Sequence, residues 1–175
     1  ATLRECAEQN RSAGTDWRLV YVFGLSFREQ RQMKGIDIKR QPCFYGLDWN
    51  DWWLKKEEDE WATPKPEPGY YLIDFNGRWG ETSWNDQETE IRKLGSDYER
   101  THEAVVSESI LSIYQTTQER LLENWYHWGR NLDSCGLRVS VGGFVHVGLS
   151  VRGFRPGWAG GGWLRVCVSR KFPSI

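Results

Sequence analysis

From Trp17 to Phe27 the chain alternates: Trp17, Leu19, Tyr21, Phe23, Leu25 and Phe27 are separated by Arg18, Val20, Val22, Gly24 and Ser26. Side chains of an extended backbone point to opposite faces in turn. A period of two, rich in aromatic and β-branched residues, therefore predicts a strand, with one long buried helix as the competing reading. On either side the pattern is helical. Thr2-Leu-Arg-Glu5 has the spacing of a capping box, in which a hydroxyl and a carboxylate satisfy the free amides of a first turn. It predicts a helix from Leu3 to Ala13 that Gly14 stops. Ser26-Phe-Arg-Glu29 repeats the spacing and predicts a short helix ending at Gly35.

Residues 36 to 68 are the least regular portion. A short helix fits around Asp48 to Lys55, amid Trp49, Trp52 and Trp53, and an extended connector follows because Pro64, Pro66 and Pro68 forbid a helix. Gly69 to Phe75 reads as a buried strand, Asn76-Gly77 as a hairpin turn, and Arg78 to Thr82 as its antiparallel return. Ser83 caps a helix that Gly95 closes, and Ser96-Asp-Tyr-Glu99 is a third capping-box spacing, predicting the start of the longest helix. In that helix Val106, Ile110, Ile113, Thr117 and Leu121 keep spacings of three and four.

After Gly129 the period returns to two, with Val139 and Val141, then Val145, Val147, Leu149 and Val151, then Leu164, Val166 and Val168. Gly142-Gly143 suits a tight turn or a bulge. The predicted fold class is α+β: two or more helices on one face of an antiparallel sheet of about four to six strands. A chain of 175 residues is expected to form a single domain, 1–175, burying roughly 70% of its unfolded surface.

Charge divides this domain. Residues 129–175 carry seven basic side chains against the single acid Asp133, a balance of +6, and residues 1–128 carry −7. The expectation is an acidic helix-rich part and a basic strand-rich part that either attract each other or leave an anion-binding face. No run reaches the ~18 apolar residues of a membrane helix, so no membrane association is expected. Cys6, Cys43, Cys135 and Cys167 are far apart, which favours reduced thiols and a cytoplasmic setting. No secretory signal is visible at the Ala1 start, which fits removal of an initiator Met or of a leader equally well.

Candidate chemistry is sparse. Trp125-Tyr-His127-Trp128-Gly-Arg130 is the densest grouping. An apolar wall would lower the pKa of His127 toward that of a general base, with Arg130 as an anion clamp; capping of helix carbonyls is the plainer role. Asp74, Glu81 and Asp86 lie among Trp79 and Trp84, a combination that suits a sugar site, but acids are also expected at a helix start. There is no nucleophile elbow, no phosphate loop and no clustered Cys and His, so neither a cofactor nor a metal is expected.

The eleven tryptophans change the picture more, because indoles serve as stacking platforms and interface anchors as well as core. Alternation in the last strand places Trp163, Arg165, Cys167, Ser169 and Lys171 on one face, and Arg138, Arg152 and Phe144 are candidates to extend it. The expectation is a non-catalytic binding domain that holds an anionic or aromatic partner through Trp84, Trp128 and Trp163 together with Arg138, Arg152, Arg165 and Lys171. Single-stranded nucleic acid also fits such a face but is not favoured as the partner, because no RNP-type motif is present. The alternatives are a small enzyme, such as a hydrolase, using His127 and Arg130, and a structural subunit of an oligomer.

Overall fold

A computed structural model describes residues 2–46, 60–158 and 161–170. Helix α1 (Thr2–Ser12) precedes strand β1 (Trp17–Val22), and α2 (Phe27–Lys34) follows it. The capping box of α2 forms as its spacing predicts: the Ser26 hydroxyl accepts from the Glu29 amide while the Glu29 carboxylate accepts from the Ser26 amide. The helix expected around Asp48 to Lys55 lies outside the described residues. Next come a 3-10 turn at Glu60–Ala62, β2 (Gly69–Arg78), α3 (Trp84–Leu94), β3 (Tyr98–Arg100) and α4 (Glu103–Thr117). Strands β4 (Tyr126–Leu132), β5 (Arg138–Val145), β6 (Gly148–Phe154) and β7 (Leu164–Arg170) complete the order.

These strands form one seven-stranded sheet in the order β1-β2-β7-β4-β5-β6, with β3 also pairing with β7. The fold is α+β, but the sheet is mixed and larger than alternation predicts: β4 runs parallel to β7, through Tyr126 opposite Leu164 and His127 opposite Arg165. Helices also cover both faces instead of one. On the first face Val22, Ile73, Val139, Val141, Leu149, Val151 and Cys167 pack with Phe27 of α2 and Ala104, Val105 and Ile110 of α4. On the second, Trp17, Leu72, Val166 and Val168 pack with Cys6 of α1 and Ile91 of α3. Buried aliphatics of this kind contribute about 1.5–3 kcal/mol each, so both layers hold the sheet.

Two local expectations fail for a shared reason: a side chain captures backbone groups that the pattern assigned to a turn or a cap. Asn76-Gly77 makes no hairpin. The buried Asp74 carboxylate accepts from the amides of Asp16 (2.9 Å) and Asn76 (3.1 Å) and from Arg78 Nε (2.8 Å), so β2 runs on through a register shift. Gly77 supplies the positive φ of 71° there. Likewise Ser96 to Glu99 does not open the longest helix. That segment becomes β3, and His102 caps α4 instead, its Nδ1 accepting from the Ala104 amide at 3.1 Å.

Candidate ligand-binding face

The second face of the sheet changes character at β4. On the β1, β2 and β7 side it lies beneath α1 and α3. On the β4, β5 and β6 side the register places Tyr126 and Trp128 beside Gly142, Ser140 and Arg138, and these beside Ser150, Arg152 and Phe154. The chain returns over this area between β6 and β7. The Trp84 amide donates to the Pro156 carbonyl (3.1 Å) and the Gly162 amide to the Gly80 carbonyl (3.0 Å), so the loop is pinned at both ends. Positive φ at Gly161 and Gly162, 58° and 89°, lets the backbone turn back and lay Trp163 on the sheet.

An aromatic cluster results. The Trp163 ring meets Phe154 at 4.9 Å, Trp158 at 5.1 Å and Tyr126 at 6.0 Å, all edge to face. Phe154 also touches Tyr126 at 5.9 Å and Trp158 at 5.7 Å. The guanidinium of Arg152 lies 5.4 Å from the Tyr126 ring, and its Nε donates to the Ser150 hydroxyl at 3.3 Å. Arg155 is exposed, and Trp158 leaves 48% of its surface in solvent. Hollows flank the cluster on two sides. One of about 520 Å³ is lined by Tyr126, Ser150, Arg152 and Trp163, and one of about 700 Å³ by Leu137, Phe154, Arg155 and Trp158.

A second group of predicted residues comes together beside this face and is internally neutralised. Trp84, at the start of α3, lies between two guanidinium groups, Arg138 at 3.8 Å and Arg100 at 4.4 Å from its ring, and its Nε1 donates to the Gly129 carbonyl at 2.8 Å. Arg100 is buried, and burial pulls its pKa down to about 10, so it stays charged near neutrality. It donates to Glu88 (2.6 Å), to the Gln87 side chain (3.0 Å) and to the Trp128 and Trp84 carbonyls (2.5 and 3.2 Å). Burial likewise lowers the pKa of Arg138. The buried Glu103 carboxylate accepts from the Arg130 and Asn131 amides at 2.9 and 3.2 Å, where β4 departs from regular pairing with β5. Arg130 pairs with Glu99 at 2.9 Å. It therefore closes a structural ion pair and is not poised as an anion clamp.

His127 is fully buried and cannot serve as the general base that sequence context suggests. Its Nδ1 accepts from the Cys167 amide (3.0 Å) and its Nε2 donates to the Thr101 carbonyl (2.9 Å). Thr101 in turn donates its amide to the Cys167 carbonyl at 3.1 Å. The edge of β7 changes partner here, from β4 to β3, and the imidazole fills the gap as a peptide group would. Burial, reinforced by Arg100, pushes the His127 pKa well below its ordinary value, so the ring is neutral. Neither ring nitrogen is left for a substrate. His146 is exposed in the turn between β5 and β6.

The face expected on β7 is divided by the fold. Cys167 and Ser169 are buried, and Cys167 packs in the core with α4. Arg165 lies on that same side of the sheet, 5.8 Å from the Trp125 ring, donating to the Gly162 carbonyl. Phe144 joins the core because the register shifts between Gly142 and Val145, while Arg138 and Arg152 face the opposite way. Trp128 is fully buried, and its Nε1 finds no acceptor among the described residues. Lys171 lies outside the described residues. Of the predicted binding residues, then, Arg152 and Trp163 meet at the open face, and Trp84 and Arg138 stack beside it. Tyr126, Phe154 and Trp158 join them there and are not among the residues that the sequence assigns to binding. The parity of Arg152 with Phe154 carried the signal, as did the two tryptophans bracketing the glycine-rich return. The carboxylates considered for a sugar site do not converge, since Asp74 is spent on backbone amides and Asp86 accepts from the Ser83 hydroxyl at 2.7 Å.

No helix among the described residues is long and apolar enough to cross a membrane. No family model, curated protein or solved structure matches the chain.

Proposed function

We propose that this protein is a non-catalytic binding domain that holds an anionic, ring-bearing partner on the open half of its sheet. The observation that carries the reading is the cluster of Tyr126, Phe154, Trp158 and Trp163 with Arg152 against it and Arg155 at its margin. The exposed Trp158 offers a ring for stacking, a stacked ring contributing about 1–3 kcal/mol, and a guanidinium supplies both a planar surface and a charge for an anion. The two flanking hollows give such a partner space on both sides of the rings.

Quenching of tryptophan fluorescence tests this, with a nucleoside monophosphate as the charged ring, its nucleoside as the neutral ring and inorganic phosphate as the bare anion. The expected order of affinity is monophosphate first, with Trp158→Ala and Arg152→Glu each weakening it by roughly tenfold, about 1.4 kcal/mol. Equal affinity in both variants and the parent, or no quenching by any of the three probes, removes the reading.

A further inference from the structure

The turn between α4 and β4 brings two polar side chains to the ring cluster. Glu123 and Asn124 form its corner, both exposed, and line the same hollow of about 520 Å³ as Tyr126, Arg152 and Trp163. Neither side chain has a hydrogen bond or an ion pair among the described residues.

The backbone that carries them is held on both sides. Before the corner, the Leu122 carbonyl accepts from the Phe144 amide at 3.3 Å. After it, the Trp125 carbonyl accepts from the Gly143 amide at 3.1 Å, and the Tyr126 amide donates to the Trp163 carbonyl at 2.8 Å. The path needs a positive φ of 58° at the buried Leu122, a conformation that leucine keeps only where its surroundings fix it. The register shift of β5 between Gly142 and Val145 does the fixing, because the amides of Gly143 and Phe144 that fall within it are the ones that hold the turn.

What the pair can read follows from its chemistry. A carboxylate only accepts hydrogen bonds, whereas a carboxamide both donates and accepts. At a site for an anion, a carboxylate repels the ligand unless the ligand brings N–H groups to it, so Glu123 discriminates among rings. We propose that the ring of the anionic partner is guanine, read by Glu123 and Asn124 at the rim of this hollow. The assignment rests on the ring-and-anion reading above and narrows it. Guanine sets its N1–H and its exocyclic amino group side by side, a match for both oxygens of one carboxylate, and the neighbouring O6 takes an N–H from a carboxamide. Adenine and cytosine place their amino group beside a bare ring nitrogen, whose lone pair would face the second carboxylate oxygen. In uracil a single N–H lies between two carbonyls. The hollow falls within the range of small-ligand sites, roughly 300–1,000 Å³, with Tyr126 and Trp163 supplying its rings and Arg152 its cation.

Isothermal titration calorimetry on the full chain with guanosine, inosine and adenosine monophosphates tests the assignment. Inosine monophosphate keeps N1–H and O6 but lacks the amino group. The expected order is guanosine, inosine, adenosine, with the first at least ~10-fold tighter than the last, as hydrogen bonds to a charged group imply. Glu123→Gln should weaken guanosine monophosphate ~10-fold and leave adenosine monophosphate unchanged or slightly tighter. Removing a negative charge by itself tightens every anion, so a loss confined to guanine reports the lost acceptor. Asn124→Ala should weaken the guanosine and inosine compounds by ~3-fold and spare adenosine. Since Glu123 is exposed and bonds to no described group, the thermal midpoint of Glu123→Gln should match that of the parent. Equal affinity of the parent for guanosine and adenosine monophosphates overturns the assignment, and if Arg152→Glu still weakens both, the ring-and-anion site stands without it. A guanine preference that survives Glu123→Gln overturns the assignment as well. Binding of none of the three overturns both readings.

Discussion

One face of the sheet is built in two ways, and arginine shows the difference. Beneath α1 and α3, Arg78, Arg100 and Arg170 end on Asp74, Glu88 and Glu5, at 2.8, 2.6 and 2.8 Å. Across β4 to β6, the contacts of Arg152 include the Ser150 hydroxyl and the Tyr126 ring, and Arg155 is exposed. Arg78 and Arg100 are thus paired with acids of their own first part of the chain, and of these three only Arg170 belongs to the basic second part. The stretch across β4 to β6 is roofed by aromatic rings instead of a helix. The comparison teaches that net charge by segment says little about a surface. What matters is which arginines the fold brings to a carboxylate.

Substitutions should separate the two halves. The largest effect is expected at Arg100→Met, which leaves the half-buried Glu88 without its cation and the buried Trp128 carbonyl without its donor. Chemical denaturation should show a loss of about 3–5 kcal/mol. An intact midpoint would mean the roofed half is not held by this ion pair. Glu103→Gln keeps one acceptor but sets an amide donor against a backbone amide of the β4 irregularity, and about 1–3 kcal/mol should go, read from the same experiment.

A smaller effect depends on pH. The folded chain holds His127 neutral, with its pKa pushed well below 6.5, whereas the unfolded chain takes up a proton there once the pH falls below about 6.5. Acid therefore favours the unfolded chain, and the stability present at neutral pH declines as the pH drops, by up to about 1.4 kcal/mol per unit from this group. His127→Gln should be less stable at pH 7 and lack this component, so its stability curve and that of the parent converge between pH 6.5 and 5. Parallel curves would show that the ring is not held neutral. On the open half the smallest change is expected: Trp158→Ala should stay within about 0.5 kcal/mol of the parent in thermal unfolding, since the ring is half exposed, and Arg152→Ala should lose no more than about 1 kcal/mol with its bond to Ser150. A loss of several kcal/mol in either would make the aromatic cluster a structural element and blur the contrast.

Local periodicity made much of this fold legible. The strands at Trp17 and Leu164 follow from period-two patterns, that at Gly69 from an apolar run and the caps at Ser26 and Ser83 from spacing, whereas the alternation read from Val145 to Val151 spans the turn that separates β5 from β6. The parallel contact of β4 with β7 was not legible, because Trp125 to Arg130 reads as the end of a helix and nothing local names a partner nearly forty residues away. The same long-range pairing buried His127, turning the strongest catalytic candidate into a sheet component. Helices on both faces were hidden too, since Leu72 and Ile73 are adjacent in sequence and enter different layers. At the open face, Arg152 and Trp163 were legible from charge and composition. Arg165 was not excluded, because parity along β7 cannot say which side α4 will cover.

The most direct test of the account is a nuclear magnetic resonance titration of the uniformly labelled protein with a nucleoside monophosphate, followed at the tryptophan indole and arginine Nε signals. Shifts confined to Trp158, Trp163, Arg152 and Arg155 are the predicted result. Shifts centred on Trp125 and Arg165, across the sheet, would contradict it.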